Sequence, residues 1–94
     1  MMGTTNTINE NHFKSLIVLG RFADAFRGQT HLNKTQLHLQ SRLRWDLYKK
    51  YLDWLLQRGF VKYDVINNVE HYSLTQNGEK MFNILGIFLG IVLR

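Results

Sequence analysis

The chain has 94 residues, with 12 Lys and Arg against 7 Asp and Glu and no cysteine or proline. That is enough for one domain with a modest core, and the lack of thiols excludes a disulfide framework and thiolate metal sites. The amino-terminal run MMGTTNTINENHF has no basic-then-apolar export pattern, so an intracellular, cytoplasmic location is expected.

Residues 1–7 are expected to be disordered. From Ile8 to Phe26 apolar residues recur at helical spacing (Phe13, Leu16, Ile17, Leu19, Phe22, Phe26), which predicts a first helix ended by Gly28. Gln29 to Leu32 reads as a loop. Asn33 stands three residues before Gln36, the spacing of an N-cap and its capping-box partner, and opens a short second helix over about Lys34 to Gln40. After a turn at Leu43, a third helix runs from about Arg44 to Arg58 and stops at Gly59, since glycine readily takes the left-handed conformation of helix ends. Phe60 to Val65 and Val69 to Leu74 read as strands joined through Asn67 and Asn68, residue types that tolerate tight hairpins. Thr75 suits the N-cap of a last helix reaching the chain end, with Gly78 an ill-suited member of its first turn.

The basic residues are concentrated. Between Arg27 and Lys62 lie eight Lys and Arg against Asp46 and Asp53, whereas the rest of the chain has four bases and five acids. A basic stripe on one part of a domain is the electrostatic footprint of a polyanion binder; the alternative is a solvated face that keeps the protein soluble. At about 100° per residue, Asp46, Lys49, Lys50, Asp53 and Gln57 of the third helix share one arc, opposite Leu47, Tyr48, Tyr51, Leu52, Trp54 and Leu55. Trp54 is expected in the core and Trp45, on the border, partly exposed.

Helix, short helix, turn, amphipathic helix, hairpin and final helix, in that order, make a winged helix-turn-helix. The expected class is α+β, mainly α, a single domain over 1–94 with a short β-hairpin wing and an extended apolar C-terminal helix. The motifs Lys34-Thr35-x-Leu37, Leu43-x-Trp45-Asp46, Lys50-Tyr51-Leu52, Gly59-Phe60-Val61 and His71-Tyr72-Ser73-Leu74-Thr75-x-x-Gly78 resemble the small archaeal winged-helix DNA-binding proteins that are predicted transcriptional regulators. The likeness spans roughly Lys34 to Leu85. It implies a third helix in the major groove of double-stranded DNA, commonly in a homodimer joined through the carboxy-terminal helix. Carried onto this chain, the groove-facing positions are Arg44, Trp45, Lys49, Lys50 and Asp53. Two departures stand out: the wing carries Asn67, Asn68 and Glu70 in place of Lys or Arg, which weighs against phosphate contact by the wing, and the last helix is more apolar than the charged tail of some relatives.

On this reading Lys34, Arg42 and Arg58 position the duplex through phosphates. Lys49 and Lys50 reach phosphates or guanine edges, and Asp53 accepts from a cytosine amino group. Arg42 and Arg44 lie at the helix start, which comes nearest the bases. The run from Met81 to Leu93 is thirteen residues long, short of the ~20 a membrane span needs, yet apolar round more than half its circumference. A second copy is the natural place for that surplus. Residues 75–94 are therefore expected to form a dimer interface through Phe82, Leu85, Phe88, Leu89, Ile91 and Val92, with Phe13, Phe22 and Phe26 of the first helix against them.

Four scattered histidines (His12, His31, His38, His71) show no ligand spacing, and no phosphate loop or nucleophile elbow is present. No metal, no cofactor and no enzyme activity are expected. The alternative function is a winged-helix protein-interaction module that does not bind DNA, its mixed-charge helix face docking a partner.

Overall fold

A computed structural model describes residues 3–29 and 31–92, with side chains described for 14–29 and 31–91. In chain order it contains α1 (Gly3–Phe26), β1 (His31–Asn33), α2 (Lys34–Ser41), α3 (Trp45–Gln57), β2 (Val61–Ile66), β3 (Val69–Leu74) and α4 (Gln76–Val92). The strands form one antiparallel sheet in the order β1-β3-β2. This is the mainly helical α+β winged helix that the order of sequence signals predicts.

Local chemistry sets the boundaries. Asn33 Oδ1 accepts from the Gln36 backbone N–H at 2.8 Å while Gln36 Oε1 accepts from the Asn33 N–H at 3.3 Å, closing the predicted capping box. Gly59 leaves α3 with φ +76°, and Asn67 and Asn68 both take positive φ, 52° and 65°, as a two-residue hairpin requires. The Thr75 hydroxyl donates to the Gly59 carbonyl at 2.6 Å and accepts from the Gly78 N–H at 3.0 Å, so one side chain joins the end of α3 to the start of α4. That junction explains Gly78: a Cβ there would run into the Phe60 backbone carbonyl.

Three expectations are corrected. α1 begins at Gly3, which takes residues 3–7, expected to be disordered, into the helix; Thr4 to Thr7 carry no apolar period from which it could be read, and Met1 and Met2 lie outside the described residues. The segment after Gly28, expected to be a loop, contains β1, which pairs Leu32 with Tyr72. Three residues with one buried side chain are too few to show alternation. Trp54, expected in the core, is 37% exposed. Tyr48, Leu52 and Leu55 mark the centre of the buried arc of α3, and at 100° per residue Trp54 falls roughly 125° from it. Trp45 is half exposed, as its border position implies.

The core joins Phe22, Ala25 and Phe26 of α1 to Leu37, Tyr48, Leu52 and Leu55, closed by Leu32, Val61 and Tyr72 of the sheet and Phe82 and Leu85 of α4. Its centre is aromatic: the Tyr48 ring stacks on Phe22 at 5.7 Å and lies 4.4 Å from His38. The Tyr48 hydroxyl is buried without a hydrogen-bond partner, and burial, helped by Tyr72, raises its pKa well above the ordinary 10.0. A raised pKa leaves stability intact below pH ~10 and removes it above, as the unfolded tyrosine ionises and the folded one does not. Tyr48→Phe is expected to stabilise the fold by about 1 kcal/mol at neutral pH, by removing an unsatisfied polar group, and to blunt the loss of stability above pH ~10. Urea titrations of both forms at neutral and alkaline pH check this; a Phe variant less stable at both would contradict it.

Candidate nucleic-acid interface

α2, the turn at Arg42 to Arg44 and α3 form the helix-turn-helix. Arg42 caps α2 in the left-handed conformation, φ 57°, without being glycine, a backbone state that a bulky residue holds only when its surroundings impose it. The imposing contacts are visible. The Arg42 N–H donates to the Leu39 carbonyl at 3.3 Å, and Arg21 Nη1 of α1 donates to the Arg42 carbonyl at 2.8 Å. His38 Nε2 lies 3.1 Å from the Leu43 carbonyl, and its ring meets Trp45 edge-on at 5.3 Å.

Beyond this turn α3 buries Tyr48, Leu52 and Leu55 and turns Trp45, Asp46, Lys49, Lys50, Asp53 and Gln57 outward. The predicted arc is therefore the free face. Arg42, Arg44, Trp45, Lys49, Lys50 and Asp53 follow one another along the turn and α3. Arg58 stands apart at the other end, about 21 Å from Arg44 at 1.5 Å per residue, with its guanidinium 5.5 Å from the Trp54 ring. Lys34, at the start of α2, leans toward the wing, 3.7 Å from Glu70.

Two acids temper this face. Arg44 pairs with Asp46 at 3.2 Å and Lys49 with Asp53 at 3.3 Å. All four side chains are at least half exposed, and exposed pairs are worth only about 0–1 kcal/mol. Exchanging either carboxylate for a phosphate therefore costs little, while Lys50, 5.8 Å over the Tyr51 ring, has no carboxylate partner among the described residues. Of the two lysines only Lys49 is paired with a carboxylate, so the acids do not neutralise the face.

The wing differs in kind. Tyr63, Val65, Ile66 and Val69 are about half exposed around the Asn67-Asn68 turn, and Glu70 accepts from the Tyr63 hydroxyl at 2.8 Å. That bond is the main cause of the raised Tyr63 pKa. Among the described residues Lys62 is the single Lys or Arg on the hairpin. An apolar, partly acidic tip offers a phosphate little electrostatic attraction.

The interface expected on the last helix is corrected in its membership. Phe22, Phe26, Phe82 and Leu85 are buried by the chain itself, and none is more than 6% exposed, so none is available to a second copy. Leu89 is partly buried where α1 approaches α4 closely: a Cβ on Gly20 would lie 2.8 Å from Leu89 Cδ1. Phe88 and Ile91 are exposed as expected, and Ile84 and Ile87 join them. Ile84, Ile87, Phe88 and Ile91 stand at i, i+3, i+4 and i+7, a single stripe down the outer side of α4. That spacing is legible in the sequence; the circumference of apolar residues hides which part α1 covers. The side chains of Phe13 and Val92 lie outside the described residues. No helix is long and apolar enough to cross a membrane among the described residues, and no group of three or more His, Asp or Glu there could hold a metal.

Likeness to known proteins agrees with this geometry. The winged helix-turn-helix family profile matches residues 27–89, from the end of α1 to within α4. An uncharacterized protein of Methanocaldococcus jannaschii is 35% identical over 52 residues, 55% of this chain and 50% of that protein, so the chain spans half the length of that relative. The solved structure of Sso10a-2, a DNA-binding protein from Sulfolobus solfataricus, superposes with a TM-score of 0.65 at 20% identity, covering 77% of each chain. A MarR family transcriptional regulator from Silicibacter pomeroyi superposes equally well, with a TM-score of 0.65 at 16% identity over 74% of this chain and 48% of that one. At those identities the likeness is one of fold; it is the profile match over most of the chain, on a structure with the same order of elements, that makes this protein a member of the winged helix-turn-helix family.

Proposed function

We propose that the protein binds double-stranded DNA in the cytoplasm as a homodimeric transcriptional regulator or chromatin protein, with α3 in the major groove. The observation that carries this reading is the exposed ridge from Arg42 to Lys50, where Arg42 and Arg44 flank the amino-terminal end of α3, the part of a recognition helix that comes nearest the bases, and Lys49 and Lys50 follow in its first half. The likeness in fold to a DNA-binding protein and to a transcriptional regulator supports it. Homodimerisation is supported by the apolar stripe of α4, which water would otherwise cover. The reading assigns no reaction and no cofactor to the chain.

Replacing Lys49 and Lys50 together by alanine is expected to weaken DNA binding and to flatten its salt dependence by about one unit of log-log slope for each phosphate no longer neutralised. Fluorescence anisotropy with a labelled duplex at several salt concentrations reads both quantities. A double variant that binds like the parent at every salt concentration would show that this face is not the DNA surface.

A further inference from the structure

α1 crosses α3 where Ser15 Oγ and the Tyr51 hydroxyl share a hydrogen bond of 2.9 Å. On the side of that crossing toward the helix-turn-helix turn, the elements leave an open groove of about 770 Å³. Its floor is apolar, formed by Ile17 and Val18 of α1, Leu43 of the turn and Leu47 of α3. Around the floor stand five cations, Lys14, Arg21, Arg42, Arg44 and Lys50, and among the described residues no carboxylate lines it. Arg44 shares its charge with Asp46, but the other four pair with no carboxylate among the described residues.

A DNA face does not explain the whole of this arrangement. A duplex would use the cations and leave the apolar floor wet, and a neutral apolar ligand would use the floor and leave five like charges uncompensated. The complement to both is one small molecule with an apolar body and an anionic head. Guanidinium groups favour a carboxylate, which they bind in a two-pronged, charge-assisted manner, and a few placed charges on an apolar wall are the usual makeup of small-molecule sites. We propose that the groove between α1 and the helix-turn-helix binds a hydrophobic monocarboxylate, its chain on Ile17, Val18, Leu43 and Leu47 and its carboxylate among the rim cations. Arg42, Arg44 and Lys50 also belong to the proposed DNA face, so a filled groove and bound DNA exclude each other. Only that exclusion rests on the DNA-binding reading.

The test is a titration of the full chain, without DNA, with decanoate below its micelle-forming concentration, followed by methyl NMR. The methyls of Ile17, Val18, Leu43 and Leu47 are expected to shift along one saturable curve. Decyltrimethylammonium, with the same chain and the opposite charge, and acetate, with the same head and no chain, should bind at least about tenfold more weakly. The exposed rim variant Lys14→Glu/Lys50→Glu, which leaves the Arg21 contact to the turn in place, should lose about tenfold in decanoate affinity with the core methyls of Leu37 and Leu55 unmoved. Equal binding of decanoate and its cationic counterpart, or shifts confined to Ile84, Ile87 and Ile91 on α4, would overturn the site. In a separate anisotropy measurement saturating decanoate should weaken DNA binding; unchanged affinity there would overturn the exclusion and leave the site standing.

Discussion

Gly78→Ala is expected to destabilise the protein by about 3 kcal/mol, although alanine ordinarily favours a helix over glycine by about 1 kcal/mol. The reason is the atom that a Cβ would meet. Gly78 lies in the first turn of α4, and its Cβ direction points into the backbone carbonyl of Phe60. No flexible side-chain end can move aside. That carbonyl also accepts the Thr75 N–H at 3.0 Å, so retreat of the backbone would break the junction that seats α4 on the end of α3. Gly86, in the same helix, has nothing within 4 Å of its Cβ position, and Gly86→Ala is expected to gain up to about 1 kcal/mol. Urea denaturation of the two variants beside the parent gives opposite signs if the geometry is as described. A stabilised Gly78→Ala protein would mean that α4 does not start against Phe60.

The second large effect belongs to the outer stripe of α4. Ile84→Glu/Ile87→Glu replaces two side chains that are 68% and 67% exposed in the single chain, so each copy should fold as before. In a dimer built on this stripe each of those isoleucines is worth about 2 kcal/mol of burial, and four carboxylates brought together across the seam would add repulsion. The variant is expected to sediment as a monomer. Its DNA affinity should fall about 100-fold or more, because two half-sites would no longer bind as one unit. The two recognition helices of an intact dimer should address half-sites about 34 to 36 Å apart, or a multiple of that. Sedimentation equilibrium on parent and variant decides the matter: a parent that is monomeric at micromolar concentration would remove the dimer from the account.

Much of this molecule can be read locally. The capping box at Asn33 and Gln36, the stop at Gly59, the positive-φ turn at Asn67 and Asn68 and the Thr75 cap are short-range chemistry, and each stands where its residue types put it. The free face of α3 also follows from period alone. What the sequence hides depends on partners distant along the chain. Trp54 falls outside the buried arc because α1, α2 and β2 choose which part of a broad apolar face they cover, and the wheel alone does not contain that choice. Phe82 and Leu85 look as available as Ile84 and Ile87 until α1 packs on α4 and buries the first two. β1 gains its strand conformation from pairing with β3 rather than from its own three residues. The basic groove draws Lys14 and Arg21 from a helix outside the basic segment, so a count of charges along the chain could not reveal it.

Whether the Arg42 to Lys50 ridge meets DNA is read most directly from the affinity of the unmodified protein for a labelled duplex between about 50 and 200 mM salt. With up to eight cations from two ridges replacing counterions, log affinity should fall linearly with log salt, with a slope between about −4 and −7. Binding that is absent at the lowest salt concentration, or present but indifferent to salt, would contradict the account and favour a winged helix whose charged face docks another protein.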